Sequence, residues 1–542
     1  MKIFGSGFRD DRRSGWGIYA QRVDANGTVL WTTDGVPIYT AESELWSPQL
    51  VSDGAGGAII TWSDWRSDFW DIYAQRVDSS GAVLWTTDGV PICTAANYQW
   101  SPQPVSDGAG GAIITWGDWR GNGDIYAQRV DSSGTVLWTT DGVPICMAAD
   151  IQECPQLVSD GAGGAIITWH DLRSGNNTDI YAQRVDASGA VLWTTDGVPI
   201  CTAANSQWEH QLVSDGAGGA IITWRDERSG NYDIYAQRVD ASGAVLWTTD
   251  GVPICTAEDW QDNPELVSDG AGGAIITWQW QDWPSVYIYA QRVNASGDVL
   301  WTTDGVTIGM AGDDQAYPEL VSDSAGGAII TWRAGSSDGI YAQRVNSSGD
   351  MLWTTNGVPI STVDVEPHYP PQLVSDGASG AIITWTDARG EDYDIYAQNV
   401  QEDGSLGGIS GDGGVLALAP KIFTEREISP SPDLSLRGRG EHGIPLTTKA
   451  LQNYPNPFNP DTWIPYQLAV NAPVTITIYN LKGQKIKTIA LGNQKAGVYV
   501  TKDEAAYWDG RDNIGQKASS GLYFYTIQAG NFIATKKMIL MK

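Results

Sequence analysis

Lysine is the first absence in this chain: none stands between Lys2 and Lys421, and the cations of that stretch are arginines. Net charge is −31 over 542 residues, and it is unevenly placed. Residues 450–542 carry ten Lys/Arg against five Asp/Glu and residues 401–449 five against seven, which leaves −34 on residues 1–400. Such a surface repels phosphate backbones and anionic lipid, whose recognition needs clustered Lys/Arg, so nucleic acid is excluded as a partner. It suits an extracellular milieu, or the recruitment of cations or basic partners. Long apolar runs are missing too, so no membrane-spanning helix is expected. Five cysteines form no obvious disulfide framework. Cys93, Cys146, Cys201 and Cys255 share one repeat position and read as small buried fillers, while Cys154 stands apart with a bridge to Cys146 open. Neither HExxH nor CxxC occurs, and His170, His210 and His368 fall in different repeats, so no metal ligands are assigned. Calcium beside acidic pairs such as Asp313–Asp314 stays open, without an EF-hand run to support it. GxSxG and Walker loops are absent, and carboxylates are too plentiful to single out a hydrolytic pair. No catalytic residue and no cofactor is assigned.

What is present is a repeat. The tyrosine of IYAQ stands at Tyr19, Tyr73, Tyr126, Tyr181, Tyr235, Tyr289, Tyr341 and Tyr396, at spacings of 52 to 55 residues. A period that regular, without a long helical pattern inside it, marks a repeat architecture. Each unit offers four β-like runs, seen at Gln211–Asp215 (QLVSD), Ala220–Trp224 (AIITW), Ile234–Val239 (IYAQRV) and Val245–Trp247 (VLW). Glycines of GAGG and DASG between them can take the positive φ that tight hairpins need. Four antiparallel strands per 54 residues predict a β-propeller blade. The first run occurs seven times and IYAQ eight times. A seven-bladed ring follows if N-terminal third and fourth strands complete a blade begun by C-terminal first and second strands. An eight-bladed ring is the alternative, and an open solenoid would leave unprotected edges.

The SDGAGGAIITW run loosely resembles the Asp-box of sialidase-type propellers, which is a fold element. The YAQR arginines occur in nearly every copy, so a structural role is expected for them as well. With four strands per blade, the 1–2 and 3–4 turns share one face, and the 2–3 loops and 4–1 connections share the other. If GVPI adds a further strand, that parity fails. Copies differ on the second face. Trp16, Trp65, Trp70, Trp119, Trp280 and Trp283 map to 2–3 loops there, and Trp46, Trp100, Trp208 and Trp260 to 4–1 connections, with His170 and His210 among them. Tryptophan on loops of a rigid scaffold stacks on sugars and side chains. Asp64, Asp118, Asp171, Glu209, Asp259 and Asp282 could add hydrogen bonds to hydroxyls, and the alternative role for these tryptophans is packing between blades.

Past Val400 the pattern dissolves into Gly/Ser/Pro-rich sequence, which predicts a flexible linker over residues 401–450. Residues 451–542 predict a small β-sandwich, with an alternating hairpin over Val474–Ile489. The motifs YPNPFNP, IYNLKGQ, WDGRDNIGQ, SSGLYFY and KKMILMK resemble the C-terminal sorting domain of type IX secretion cargo. They are also similar to the Ig-like domain of flagellar hook-capping proteins. The resemblance implies bacterial export through secretion machinery, then release or attachment at the cell surface, and the WIP run at Trp463–Pro465 departs from the usual strand. The start lacks a signal-peptide core, and FRDDRRSGWGIYAQ aligns inside a repeat, so an incomplete N-terminus is expected. The leading expectation is a secreted or surface-displayed propeller that binds a glycan or protein without catalysis. A polysaccharide hydrolase or lyase, and a purely structural surface protein, are the alternatives.

Overall fold

The structure is a computed structural model. It describes the chain except residues 1, 11–14, 26, 42, 176, 283–284, 310–313, 336–338, 362–369, 388–393, 408–415, 419–438, 441–443, 446–447, 451–460, 483, 500–504, 514, 531 and 541–542. Among the described residues the fold is all-β, and no helix is long and apolar enough to cross a membrane. The chain divides into two compact units, Met1–Glu427 and Ile428–Lys542.

The first unit is a propeller-like succession of antiparallel sheets in chain order. The fourth sheet shows the plan: Gln152–Ser159, Ala165–Asp171, Asp179–Val185 and Val198–Cys201 pair in that order. The β-branched AIIT run packs well as a central strand, and all seven residues of Ala165–Asp171 are buried. The SDGAGG turn is closed by its own aspartate. Asp160 accepts from the backbone N–H groups of Ala162 and Gly164, both at 2.8 Å. Gly163 takes a φ of +86°, and a Cβ on Gly164 would lie 2.3 Å from the Val185 carbonyl oxygen, so glycine is required at both.

The fourth strand is not the run expected. VLW forms only an isolated bridge, Val185 with Val191, and the strand proper is VPIC, pairing Ile180 with Cys201 and Ala182 with Val198. Pro199 is tolerated because this strand is outermost, where a missing N–H breaks no ladder. Trp193 of VLW reaches the next sheet instead, donating its indole N–H to the Ala241 carbonyl at 3.2 Å. Four strands still span the sheet, so the parity of its ends is preserved. Arg184 of YAQR acts similarly. It pairs with Asp160 in its own sheet at 2.8 Å and donates to the Ala241 carbonyl of the next at 2.9 Å. Between sheets the filling is apolar: Ile166, Ile180, Ala182 and Cys201 of the fourth meet Ala220, Ile222, Trp224 and Val239 of the fifth. All five cysteines are free, so Cys146 and Cys154 are not bridged, and the four at the repeated position are buried as fillers.

Eight such sheets occur among the described residues, seven of four strands and the N-terminal one of three. Gly15–Val23 pairs within the first sheet and Asp394–Val400 within the eighth, each IYAQ copy having its own outer strand. The two sheets meet face to face, Val23 packing with Ile382, Ile395 and Ala397. That outer strand of the eighth sheet is Leu416–Leu418, inside the stretch expected to be linker, and Lys449–Ala450 at its other end pairs with Tyr466–Leu468.

In the second unit Lys485–Gln494, Ala472–Asn480, Gly521–Ala529 and Phe532–Leu540 form one sheet in that order, which includes the expected hairpin. Ile476, Ile478, Tyr525, Met538 and Trp508 fill its core. The WIP departure has a physical role. Thr462–Ile464 pairs with Ala506–Trp508 and Tyr466–Leu468 with Gly497–Tyr499, so Pro465 stands where the chain crosses between sheets.

Candidate functional site

At the end of each sheet opposite SDGAGG, the second strand stops, the third begins, and the copies diverge. Successive sheets are joined there by backbone hydrogen bonds, such as Gln99 N–H to the Trp70 carbonyl and Gln207 N–H to the Thr178 carbonyl, both 2.7 Å. The divergent ends therefore lie side by side.

Much of this end is framework after all. Asp64, Asp118, Asp171 and Asp226 are fully buried beneath the loops. In the fourth sheet Asp171 accepts from the Trp169 indole N–H at 2.8 Å and pairs with Arg173 at 2.6 Å. The Arg173 guanidinium lies 3.9 Å from the centre of the Tyr181 ring. Asp64, Asp118 and Asp226 repeat the layer with Arg66, Arg120 and Arg228. These aspartates have no capacity left for an external hydroxyl, which corrects the expectation for Asp64, Asp118 and Asp171. In the sixth and seventh sheets Trp280 and Ala334 stand in the aspartate's place, and the layer is missing.

The expected tryptophans fall into local groups rather than one patch. Trp65, at the start of a 2–3 loop, meets Trp70 edge-on at 5.1 Å and Tyr98 of the next sheet at 5.8 Å, with Phe69 beside Tyr98 at 5.4 Å. Trp100 meets Trp119 at 6.1 Å, and Trp260 meets Tyr232 at 5.2 Å. Trp46, Trp65 and Trp260 are 43%, 37% and 53% exposed, whereas Trp70, Trp100, Trp119, Trp208 and Trp280 are half-buried. Trp46, Trp100, Trp208 and Trp260 belong to first strands, and Trp280 to a second strand packed 4.6 Å from Tyr289. Trp283 and His368 lie outside the described residues. His170 and His210 are both buried inside strands, at 5% and 2% exposure.

A polar chain that the sequence reading missed runs along the first strands. Six of the first strands bulge near their start, and the bulge residue takes positive φ at Ser47, Ser101, Cys154, Glu209, Asn263 and Tyr317. Arg225 donates to Glu209 Oε1 at 2.7 Å, and Glu209 Oε2 accepts the Asn263 N–H of the sixth sheet at 2.8 Å. Asp262 beside it accepts from Gln279 and Gln281 at 2.9 and 3.0 Å, and Gln279 accepts the Tyr317 N–H of the seventh sheet at 2.6 Å. Burial and the neighbouring Glu209 charge push the Asp262 carboxyl up to about 6. Its signal in the sequence was that WSP, present at Trp46–Pro48 and Trp100–Pro102, is replaced at Trp208–His210 and Asp262–Pro264.

Residues 462–531 match the FlgD Ig-like domain family. These residues form an Ig-like domain that follows the propeller-like unit in the chain. No curated protein matches the chain. Solved structures resemble its fold. A protein of unknown function from Dyadobacter fermentans is 9% identical, covering 67% of this chain and 96% of that one, with a TM-score of 0.35. PorZ of Porphyromonas gingivalis, a surface component of the type IX secretion system, is 11% identical over 97% of this chain and 63% of its own, with a TM-score of 0.33. A family PL25 ulvan lyase is 12% identical over 68% and 96%, with a TM-score of 0.43. At such identities these are likenesses of fold.

Proposed function

We propose that the divergent end of the sheets is a non-catalytic binding surface for a glycan, or for a protein ligand presenting similar apolar faces. The supporting observation is the exposure of Trp46, Trp65 and Trp260 on strands and at the start of a loop, while the repeat's other tryptophans among the described side chains are buried or half-buried. An indole offers a flat apolar face with a polar tip, and rigid mounting lowers the entropy lost on stacking. The Ig-like domain, with its sorting-type motifs, carries this surface out of the cell through the type IX machinery. The protein then acts extracellularly or on the outer-membrane surface.

Glycan-array binding by the purified chain tests the reading. Trp65→Ala and Trp260→Ala should each weaken retention on the best ligand at least about fivefold, the loss of roughly 1–3 kcal/mol of stacking. Unchanged retention in both variants would sink it. One observation favours a second reading, a polysaccharide hydrolase: Asp262 is held near the pKa a general acid needs, with the Glu209 charge close by. Turnover of the bound glycan, lost in Asp262→Asn, would promote that reading.

A further inference from the structure

One interface between sheets breaks the repeat in several residues at once. The first strand of the fourth sheet reads Glu153–Cys154–Pro155 where its neighbours read Trp100–Ser101–Pro102 and Trp208–Glu209–His210. His210 itself stands where the other copies carry proline, as at Pro48 and Pro264, and His170 stands where they carry Ser63, Gly117 or Gln279. Independent drift would scatter such changes around the ring, but these meet.

Glu153 pairs with His170 across the first and second strands, and Cys154 is the bulge residue, at a φ of 55°. One ligand atom from each of Glu153, Cys154 and His170 lies within 4.8 Å of the other two. From the fifth sheet the His210 ring comes to 4.6 Å from the His170 ring, and Trp208 covers His170 edge-on at 5.3 Å. Glu153, His170 and His210 are buried and Cys154 half-buried, so solvent reaches the group from the cysteine side. Carboxylate, thiolate and imidazole are the ligand types zinc takes, with three protein ligands leaving a fourth position open. Tetrahedral bonds of about 2.0–2.3 Å set donor atoms about 3.5 Å apart, so side-chain rotation of about 1 Å at the bulge closes the set. The His210 imidazole stands beside the open position, where a ring nitrogen is able to bind the ion or its water.

We propose that Glu153, Cys154 and His170 bind one zinc-type divalent metal ion, with His210 of the adjacent sheet lining its fourth position. The ion would lie beneath the divergent end, against the fifth sheet, at the one such ligand cluster among the described residues.

The full chain, stripped with chelator, tests this by cobalt and zinc titration. One cobalt ion per chain should bind with a near-ultraviolet thiolate-to-cobalt absorption band, and zinc should displace it. Cys154→Ser should abolish the band and weaken binding at least about tenfold, because thiolate is the strongest donor of the set. Cys93→Ser, in a different interface, should leave the band intact. A readout without any variant is alkylation of the folded protein by iodoacetamide, followed by peptide mass spectrometry. Cys154 should be the thiol modified first, since the other four are buried, and zinc should slow its modification at least about tenfold. Absence of the cobalt band in the natural chain, a band lost equally in Cys93→Ser, or zinc-indifferent alkylation of Cys154 would each overturn the proposal.

Discussion

At the turn end of the fourth sheet, Asp160 accepts two backbone N–H groups and an arginine, and the same three partners recur at Asp53, Asp107, Asp215 and Asp269. At the divergent end of the sixth sheet, Asp262 is held by two glutamine amides and faces the Glu209 charge. Asp160 is buried and Asp262 half-buried, yet their acidities move in opposite directions. Burial alone would raise Asp160, but the N–H donors of Ala162 and Gly164 and the Arg184 charge outweigh it and hold the carboxyl below its usual value. For Asp262 burial and a like charge act together and raise it. One end of the sheet is built to stabilise charge and repeats unchanged. The other carries charge at a cost, which is where a selected role other than folding is expected.

The largest test of this contrast is Asp160→Ala. It strips the turn of its acceptor and leaves the Arg184 guanidinium, 17% exposed, without its carboxylate. Removing one partner of a buried pair costs about 3–5 kcal/mol, read as a fall in the urea midpoint at pH 7. Because the folded pKa of Asp160 is depressed, its contribution is present above the ordinary value of 3.8 and is lost as pH falls through the folded value. A cost below about 1 kcal/mol would mean that the turn holds itself by its glycines alone.

The turn end was legible in the sequence because each of its parts is local. An Asp two and four residues ahead of the N–H groups it caps, and glycines where φ is positive, lie within one short run. The outer strand was not. VLW has stronger β character than VPIC, but Trp193 is used to reach the neighbouring sheet, and proline is harmless on an edge. Trp100 and Trp208 were placed in connections because the buried Gln99 and Gln207 start their strands earlier. Each glutamine amide donates to connection carbonyls, Gln99 to Asn97 at 3.1 Å and Gln207 to Asn205 at 3.2 Å. The closeness of His170 and His210 arises only from packing between sheets. Forty residues apart in different copies, they gave no spacing to recognise.

An intermediate effect is expected from Asp262→Asn, and it has a pH signature. A folded pKa of about 6 against an ordinary 3.8 gives stability that is fully present below 3.8 and is lost as pH rises through about 6. The full shift corresponds to about 2–3 kcal/mol. Asparagine keeps one acceptor for Gln279 or Gln281 and has no charge to desolvate. Its stability relative to the natural chain should therefore improve between pH 4 and pH 7 by about that amount, on top of a constant loss for the missing hydrogen bond. Thermal melts of both proteins across this range decide it. Parallel curves would mean that Asp262 is solvated well enough to ionise normally.

The smallest effect on stability should come from the tryptophans assigned to binding. Trp62 is fully buried and Trp65, three residues on, is 37% exposed, so the two sit on opposite sides of the boundary between framework and surface. Trp62→Ala should cost about 3–5 kcal/mol through the cavity it leaves. Trp65→Ala loses its edge-on contact with Trp70 and its contact with Tyr98, of which the specific aromatic part is about 0.5–1.5 kcal/mol. Partial exposure returns some of that loss, since a ring already half in water has less surface to give up. A thermal midpoint within a few degrees of the natural chain is the expected result. A drop as large as that of Trp62→Ala would show that Trp65 is a wedge between sheets, and the binding surface would lose one of its three exposed anchors.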